Sequence, residues 1–250
     1  MARAAVLGRL TWRVGTVVGV SDETATARTL GFSVPDWPPH AAGQHVDVRL
    51  TAEDGYTATR SYSLASAPDG ELVELTVQRV PDGEVSEYLT GVLAVDDLLE
   101  IRGPVGGWFV WRPVQREPVQ LIAGGSGIVP LMCILRARTR ARGTAPARLL
   151  YSLRGPGETY YAAELDGLAD GSAEVSYAYT RAAPYGWPRP AGRIDAALLA
   201  EEVWPASQAP TCYVCGPTGF VEAVADLLIN AGHDPARIRT ERFGPSGGQR

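Results

Sequence analysis

The strongest constraint on this chain is a change of hydrophobic rhythm near its middle. Ahead of Trp111 the apolar residues come in short runs broken by turn residues. Candidate strands are Leu10–Val20, Gln44–Leu50, Ala58–Ser63, Leu72–Val80 and Asp97–Arg102. Between them lie turns at Glu53-Asp-Gly55, Pro68-Asp-Gly70 and Pro81-Asp-Gly83, and one helical stretch, Ser86–Val92. Short strands at close spacing with such turns predict a barrel or a sandwich. Trp111–Pro118, polar and proline-bearing, reads as a linker. Beyond it strands at Val119–Ala123, Ala147–Leu153, Ala173–Thr180, Thr211–Val214 and Ile238–Phe243 alternate with helices at Val129–Arg142 and Pro217–Ala231. Alternation of this kind predicts a parallel sheet with helices on its faces. The expected organisation is a β-barrel domain over residues 1–112 and an α/β domain over residues 117–250.

A chain of 250 residues suffices for two modest domains, with no need of disulfide or metal staples. The formal net charge of −5 argues against nucleic acid, since no basic excess exists to displace counterions. All 23 cationic residues are Arg, so every cation can make a planar, bidentate contact. No apolar run approaches the ~20 residues of a membrane span. Residues 1–9 lack the apolar core of a signal peptide. A cytoplasmic monomer without a bound metal is the expectation.

The clearest local signal is Gln120-Leu-Ile-Ala-Gly-Gly-Ser-Gly-Ile-Val-Pro130, a buried strand entering a glycine loop and then a helix. Gly125 and Gly127 would let backbone approach a pyrophosphate, and the helix start offers free N–H groups. A glycine turn that only packs strand on helix has the same spelling. Arg154 and Arg181 each follow a strand and suit a dianionic 2′-phosphate through charge-assisted forks. Solvated strand-end arginines are the plainer reading. In Arg60-Ser-Tyr-Ser63 the period of two puts Arg60 and Tyr62 on one strand face and Ser61 and Ser63 on the other. Gly83 precedes a helix start near Ser86, a second place for a phosphate or a simple N-cap. Cys212-Tyr-Val-Cys215 is spelled like a redox or metal pair, but a strand sends positions three apart to opposite faces. Arg136–Arg142 could dock an acidic electron carrier, although cations stabilise a helix C-terminus in any protein.

Arg60-x-Tyr-Ser63, Gly83-x-x-Ser86, Gly103-Pro-Val-Gly106, Gly125-x-Gly127, Cys215-Gly-Pro217 and Glu241-x-Phe243 follow one another in this order. Together they resemble the ferredoxin–NADP reductase superfamily. The resemblance implies an antiparallel FAD-binding barrel followed by a Rossmann-like NAD(P)-binding domain. It implies that Arg60 contacts the FAD pyrophosphate, Tyr62 stacks on the isoalloxazine and Ser63 bonds near its N5. Leu64, Val77 and Gln78 would line the cofactor, and Gly83, Val85 and Ser86 would bind its pyrophosphate. Gly125, Ser126 and Gly127 would hold the NADP pyrophosphate, with Arg154, Thr180 and Arg181 on the 2′-phosphate. Cys215, Gly216, Pro217 and Glu241 would flank the nicotinamide, and Phe243 would cover the flavin. Ser63, Cys215, Glu241 and Phe243 form the expected catalytic group.

The implied activity is a reductase that takes a hydride from NADPH, NADH being the less expected donor. A tail, Gly244–Arg250, follows Phe243 and carries no iron–sulfur motif. Electrons are then expected to leave to a separate ferredoxin, flavodoxin or oxygenase component. A flavoreductase acting on a ferric chelate or quinone, and a nucleotide-binding subunit of low turnover, are the alternatives.

Overall fold

A computed structural model describes residues 10–168 and 173–244. The leader reading of residues 1–9 and the tail reading beyond Gly244 lie outside the described residues. The first half forms β1 (Trp12–Thr24), β2 (Ala27–Ser33), β3 (His45–Thr51), β4 (Thr57–Ser63), β5 (Leu72–Gln78), α1 (Glu84–Gly91) and β6 (Leu98–Val105). The strands make one antiparallel sheet in the order β4-β3-β6-β1-β2-β5. A bridge between Leu64 and Leu75 ties its two outer strands and rolls the sheet into a barrel. Alternate residues Val46, Val48, Val73, Leu75 and Val77 fill the interior, as the period of two requires.

β2 is absent from the sequence reading. Its Thr29 is buried and looks out of place in an apolar strand, and Gly31 breaks the run. The hydroxyl is satisfied inside the fold, 2.7 Å from Thr76 Oγ1 and 2.7 Å from Glu23 Oε1. Burial of a polar side chain with its partners in place carries little penalty, and no local pattern announces it.

The second half forms β7 (Val119–Gly124), α2 (Ile128–Arg140), β8 (Ala147–Leu153), α3 (Ala162–Leu168), β9 (Glu174–Tyr179), α4 (Ala196–Glu202), β10 (Thr211–Pro217), α5 (Thr218–Asn230) and β11 (Ile238–Phe243). The parallel sheet runs β11-β10-β7-β8-β9. The helices α3 and α4, seven residues each, are too short to show a helical period and escape the sequence reading. The chain steps outward from β7 to β9 and then returns to β10 on the other side of β7. The strand order therefore reverses between β7 and β10, where open α/β sheets place their ligands. No helix among the described residues is long and apolar enough to cross a membrane.

Barrel and sheet share a continuous apolar core that runs from Leu75 through Leu131 to Tyr213 and Cys215. A second core lies on the opposite sheet face beneath α4 and α5 and contains Cys212. The two thiols of Cys-x-x-Cys thus sit on opposite faces, and neither forms a disulfide. Polar contacts reinforce the join. Arg136 on α2 bonds Glu164 Oε2 at 2.6 Å, Glu74 Oε2 at 2.9 Å and Ala65 O at 3.0 Å, so it holds both domains at once. Arg138 donates to Ala145 O, and Arg140 pairs with Asp69 at 3.0 Å. The arginine run offered above as a docking surface is thus largely committed within the molecule. Its spacing turns those side chains toward the neighbouring domain and loops, which the sequence does not reveal.

Candidate active site

The reversal of strand order brings the carboxyl ends of β7 and β10 side by side. There Gly124, Gly125, Ser126, Pro217, Phe220 and Phe243 line a crevice of about 210 Å³ that Gln78 closes from the barrel side. The glycines differ in their reasons. Gly125 has φ +54, and a Cβ there would meet nothing within 4 Å, so its backbone is open to a ligand. Gly127 has an ordinary φ of −61, but a Cβ would fall 2.1 Å from Cys215 O. The third glycine therefore serves the packing of the turn on β10. Phe220, absent from the sequence reading, packs over Gly124 and Gly216, where an added Cβ would meet its ring at 2.7 Å. An aromatic within an apolar helical stripe reads as core, and nothing in the sequence marks it otherwise.

Arg154 and Thr180 line the crevice and Arg181 follows Thr180; both arginines are exposed. Arg181 N and Ala182 N both donate to Arg154 O at 3.0 Å, which ties the two strand ends together. Thr180 Oγ1 donates to Leu153 O at 3.2 Å. Among the described residues neither Arg154 nor Arg181 joins an ion pair, so both guanidinium groups are free to meet an anion. Glu158 lines the same crevice.

On the barrel side, Tyr62 is half-buried and Arg60 exposed, its Nη1 donating to Thr59 O at 2.8 Å. Burial raises the Tyr62 hydroxyl to about 12, against the pull of Arg60 on the same strand face. Leu64, Val77 and Val85 are fully enclosed in the barrel core. The helix near Ser86 starts at Glu84, with Gly83 as its cap residue and no side-chain cap. Ser86 Oγ instead folds back, accepting from Val80 N at 3.1 Å and donating to Gly83 O at 3.0 Å. Its hydroxyl shapes the loop ahead of the helix.

Between the two halves the structure brings Ser63, Cys215 and Glu241 together. Cys215 and Glu241 are register partners on β10 and β11. Ser63 Oγ donates to Glu241 Oε1 at 3.5 Å, from barrel to sheet. The other carboxyl oxygen, Glu241 Oε2, is buried without a partner. Burial raises the Glu241 carboxyl to about 7, opposed by the hydrogen bond from Ser63. A raised folded-state value means that this group favours folding at low pH, and the contribution is lost as pH climbs through about 7. The Cys215 thiol is pushed well above its ordinary value by burial and by nearby Glu241, so it is no nucleophile at neutral pH. His45, which the sequence reading passed over, completes the group: its Nδ1 is 4.0 Å from Glu241 Oε1. A larger groove of about 360 Å³ lies elsewhere, beside Arg136 and Arg140, whose charges are already paired with Glu74 and Asp69.

Two family models match the halves of the chain: the oxidoreductase FAD-binding domain over residues 17–110 and the oxidoreductase NAD-binding domain over residues 121–226. The chain is 28% identical over 234 residues to the ferredoxin–NAD(P)(+) reductase component of naphthalene 1,2-dioxygenase/salicylate 5-hydroxylase systems from Ralstonia sp, covering 93% of this chain and 69% of that protein. It is 30% identical over 234 residues to the ferredoxin reductase component of 3-ketosteroid-9-alpha-monooxygenase from Rhodococcus rhodochrous, covering 91% of this chain and 64% of that one. Its fold matches the FAD/NAD-binding domain of nitric oxide dioxygenase from Vibrio cholerae, with a TM-score of 0.83, 27% identity, and coverage of 93% of this chain and 99% of the other. A barrel matched as an FAD-binding domain, a parallel sheet matched as an NAD-binding domain, and a seam where Ser63 meets Glu241 lead to one assignment: the chain belongs to the ferredoxin–NADP reductase superfamily and is an NAD(P)H-dependent flavoprotein oxidoreductase.

Proposed function

We propose that this protein carries electrons from NADPH through FAD to a separate acceptor, an electron-carrier protein or the terminal component of an oxygenase. The observation that carries this reading is the seam, where Ser63 of the barrel bonds Glu241 of the sheet beside the glycine crevice. The residues present fit a flavin. Arg60 offers a guanidinium with only a local backbone partner, Tyr62 a half-buried ring, and Glu241 an orphaned carboxyl oxygen. Bound FAD supplies the chemistry: it accepts a hydride and releases single electrons. The protein's share is to hold and orient. Arg60 and the loop ahead of α1 would hold the diphosphate, and Tyr62 would stack against the ring. Gly125 and Ser126 would seat the dinucleotide, and Phe243, which lines the same crevice, would flank the ring. Glu241, its carboxyl raised to about 7 by burial, is only partly ionised at neutral pH and so places less than a full negative charge where the nicotinamide would enter. The relatives named as reductase components of oxygenase systems support an acceptor in trans.

Purified protein that is yellow and is bleached by NADPH under argon supports the reading. Colourless protein that binds NADPH alone would overturn it. Replacement of Ser63 by Ala is expected to slow flavin reduction on the order of 10²-fold, as loss of one preorganised donor does, while FAD stays bound. Stopped-flow absorbance measures it, and an unchanged rate removes Ser63 from the machinery. For the dinucleotide, Arg154→Ala and Arg181→Ala are each expected to lower the preference for NADPH over NADH about tenfold or more, since a charge-assisted contact contributes roughly 1.5–3 kcal/mol. The ratio of kcat/KM values for the two donors reads it, and a wild type indifferent to the 2′-phosphate would refute the NADPH assignment.

A further inference from the structure

The place of His45 is not accidental packing. It stands directly opposite Ser63 in the antiparallel pairing of β3 and β4. Its Nδ1 lies 4.0 Å from Glu241 Oε1, the same oxygen that Ser63 reaches at 3.5 Å. Side chains of His45 and Glu241 are only 30% and 22% exposed. The residue ahead of the ring is fixed at its own end of the barrel. Gln44, one residue earlier, donates to Gly106 O and accepts from Ala41 N, each at 2.6 Å. A Cβ on Gly106 would come 3.4 Å from His45 Nδ1, so the bare backbone leaves the ring its space.

We propose that His45 and Glu241 hold one proton between them across the seam of barrel and sheet, and that His45 is a positioning residue that keeps Glu241 aimed at Ser63. The proposal rests on the reading of the seam as the ring pocket. With one proton shared, the pair is neutral overall whether the proton sits on imidazole or carboxyl, and it titrates as a unit. The surroundings leave the exchange to these two. On β3, Asp47 faces His45 but is bound to Arg102 of β6 at 2.7 Å and to Ser61 of β4 at 2.7 Å. On β10 the neighbour is the neutral thiol of Cys215. On β11, Arg239 turns to Val110 O and Tyr213. Burial lowers the imidazole from its ordinary value and raises the carboxyl to about 7, so neither group holds its usual charge unaided by the other.

The sequence holds three histidines, so His40, His45 and His233 are separable in an NMR pH titration of flavin-loaded, histidine-labelled protein. In the wild type His45 is expected to begin protonating roughly one pH unit higher than in Glu241→Gln, the shift expected when an opposite charge within about 4–6 Å is lost. His40 and His233 should not move, and they report an intact fold. The same His45 midpoint in both proteins would overturn the pair. Should Glu241→Gln disturb the reference signals, His45→Gln carries the test through the infrared carboxyl band of Glu241. Its midpoint rises if the pair exists and stays in place if it does not. Colour and bleaching by NADPH, read on the same wild-type sample, separate a failure of the pair from a failure of the pocket assignment.

Discussion

Gly127→Ala is expected to cost the fold about 3 kcal/mol or more, at or above the upper end of ordinary overpacking. The added Cβ would sit 2.1 Å from Cys215 O, 2.4 Å from its carbonyl carbon and 2.8 Å from Gly216 N. All three are backbone atoms in β10, which is hydrogen-bonded on both sides to β7 and β11. No flexible side chain can yield, so the turn or the strand must move. The crevice for the dinucleotide is walled by these two segments, and NADPH affinity should fall with stability. Gly125→Ala makes the contrast. There a Cβ meets open space, and the cost is about 1–2 kcal/mol for a left-handed backbone at φ +54. That variant should fold and bind NADPH weakly. Urea unfolding and dinucleotide titration on the pair measure both effects. Equal stabilities for the two variants would mean that the close approach of Gly127 to β10 does not exist in solution.

Arg136→Met should loosen the join between the domains and cost about 2–3 kcal/mol. The figure lies at or below the foot of the roughly 3–5 kcal/mol range for breaking a buried ion pair, because the carboxylate partners are 42% and 37% exposed. Methionine keeps much of the stem's packing and removes only the fork. Glu164 on α3, Glu74 on β5 and the carbonyl of Ala65 then lose their shared donor. The guanidinium also lies 5.0 Å from the Tyr161 ring centroid, and Tyr161 N donates to Glu23 at 2.8 Å, a second polar tie between barrel and sheet. Since Ser63 and Glu241 belong to different domains, loosening should slow flavin reduction as well as lower the urea midpoint. Both losses should shrink with added salt, which screens the Arg136 ion pairs that only the wild type has. A variant that melts like the wild type and reduces flavin at the same rate would show that the apolar core alone fixes the domains.

The sequence by itself determined the two-part architecture, and its resemblance to a family named the residues of the candidate site. Short strands and Pro-Asp-Gly turns announced a barrel or sandwich, and the alternation after Trp111 announced the parallel sheet. Both signals are local, because burial of one strand face or one helix stripe writes its period into neighbouring residues. Five features stayed hidden: β2, the short helices α3 and α4, Phe220 and His45. β2 hid because Thr29 finds its partners across strands that no window of sequence contains. His45 hid because its partners are far along the chain: Ser63 through antiparallel pairing and Glu241 through domain docking. Tertiary structure alone also decided between glycines of identical spelling, leaving Gly125 open to a ligand and fitting Gly127 against a strand eighty-odd residues away. It turned Arg136 from a surface cation into a clamp. The common reason is distance along the chain: spacing shows which face a residue takes, while its partner across the fold exists only after the chain has closed.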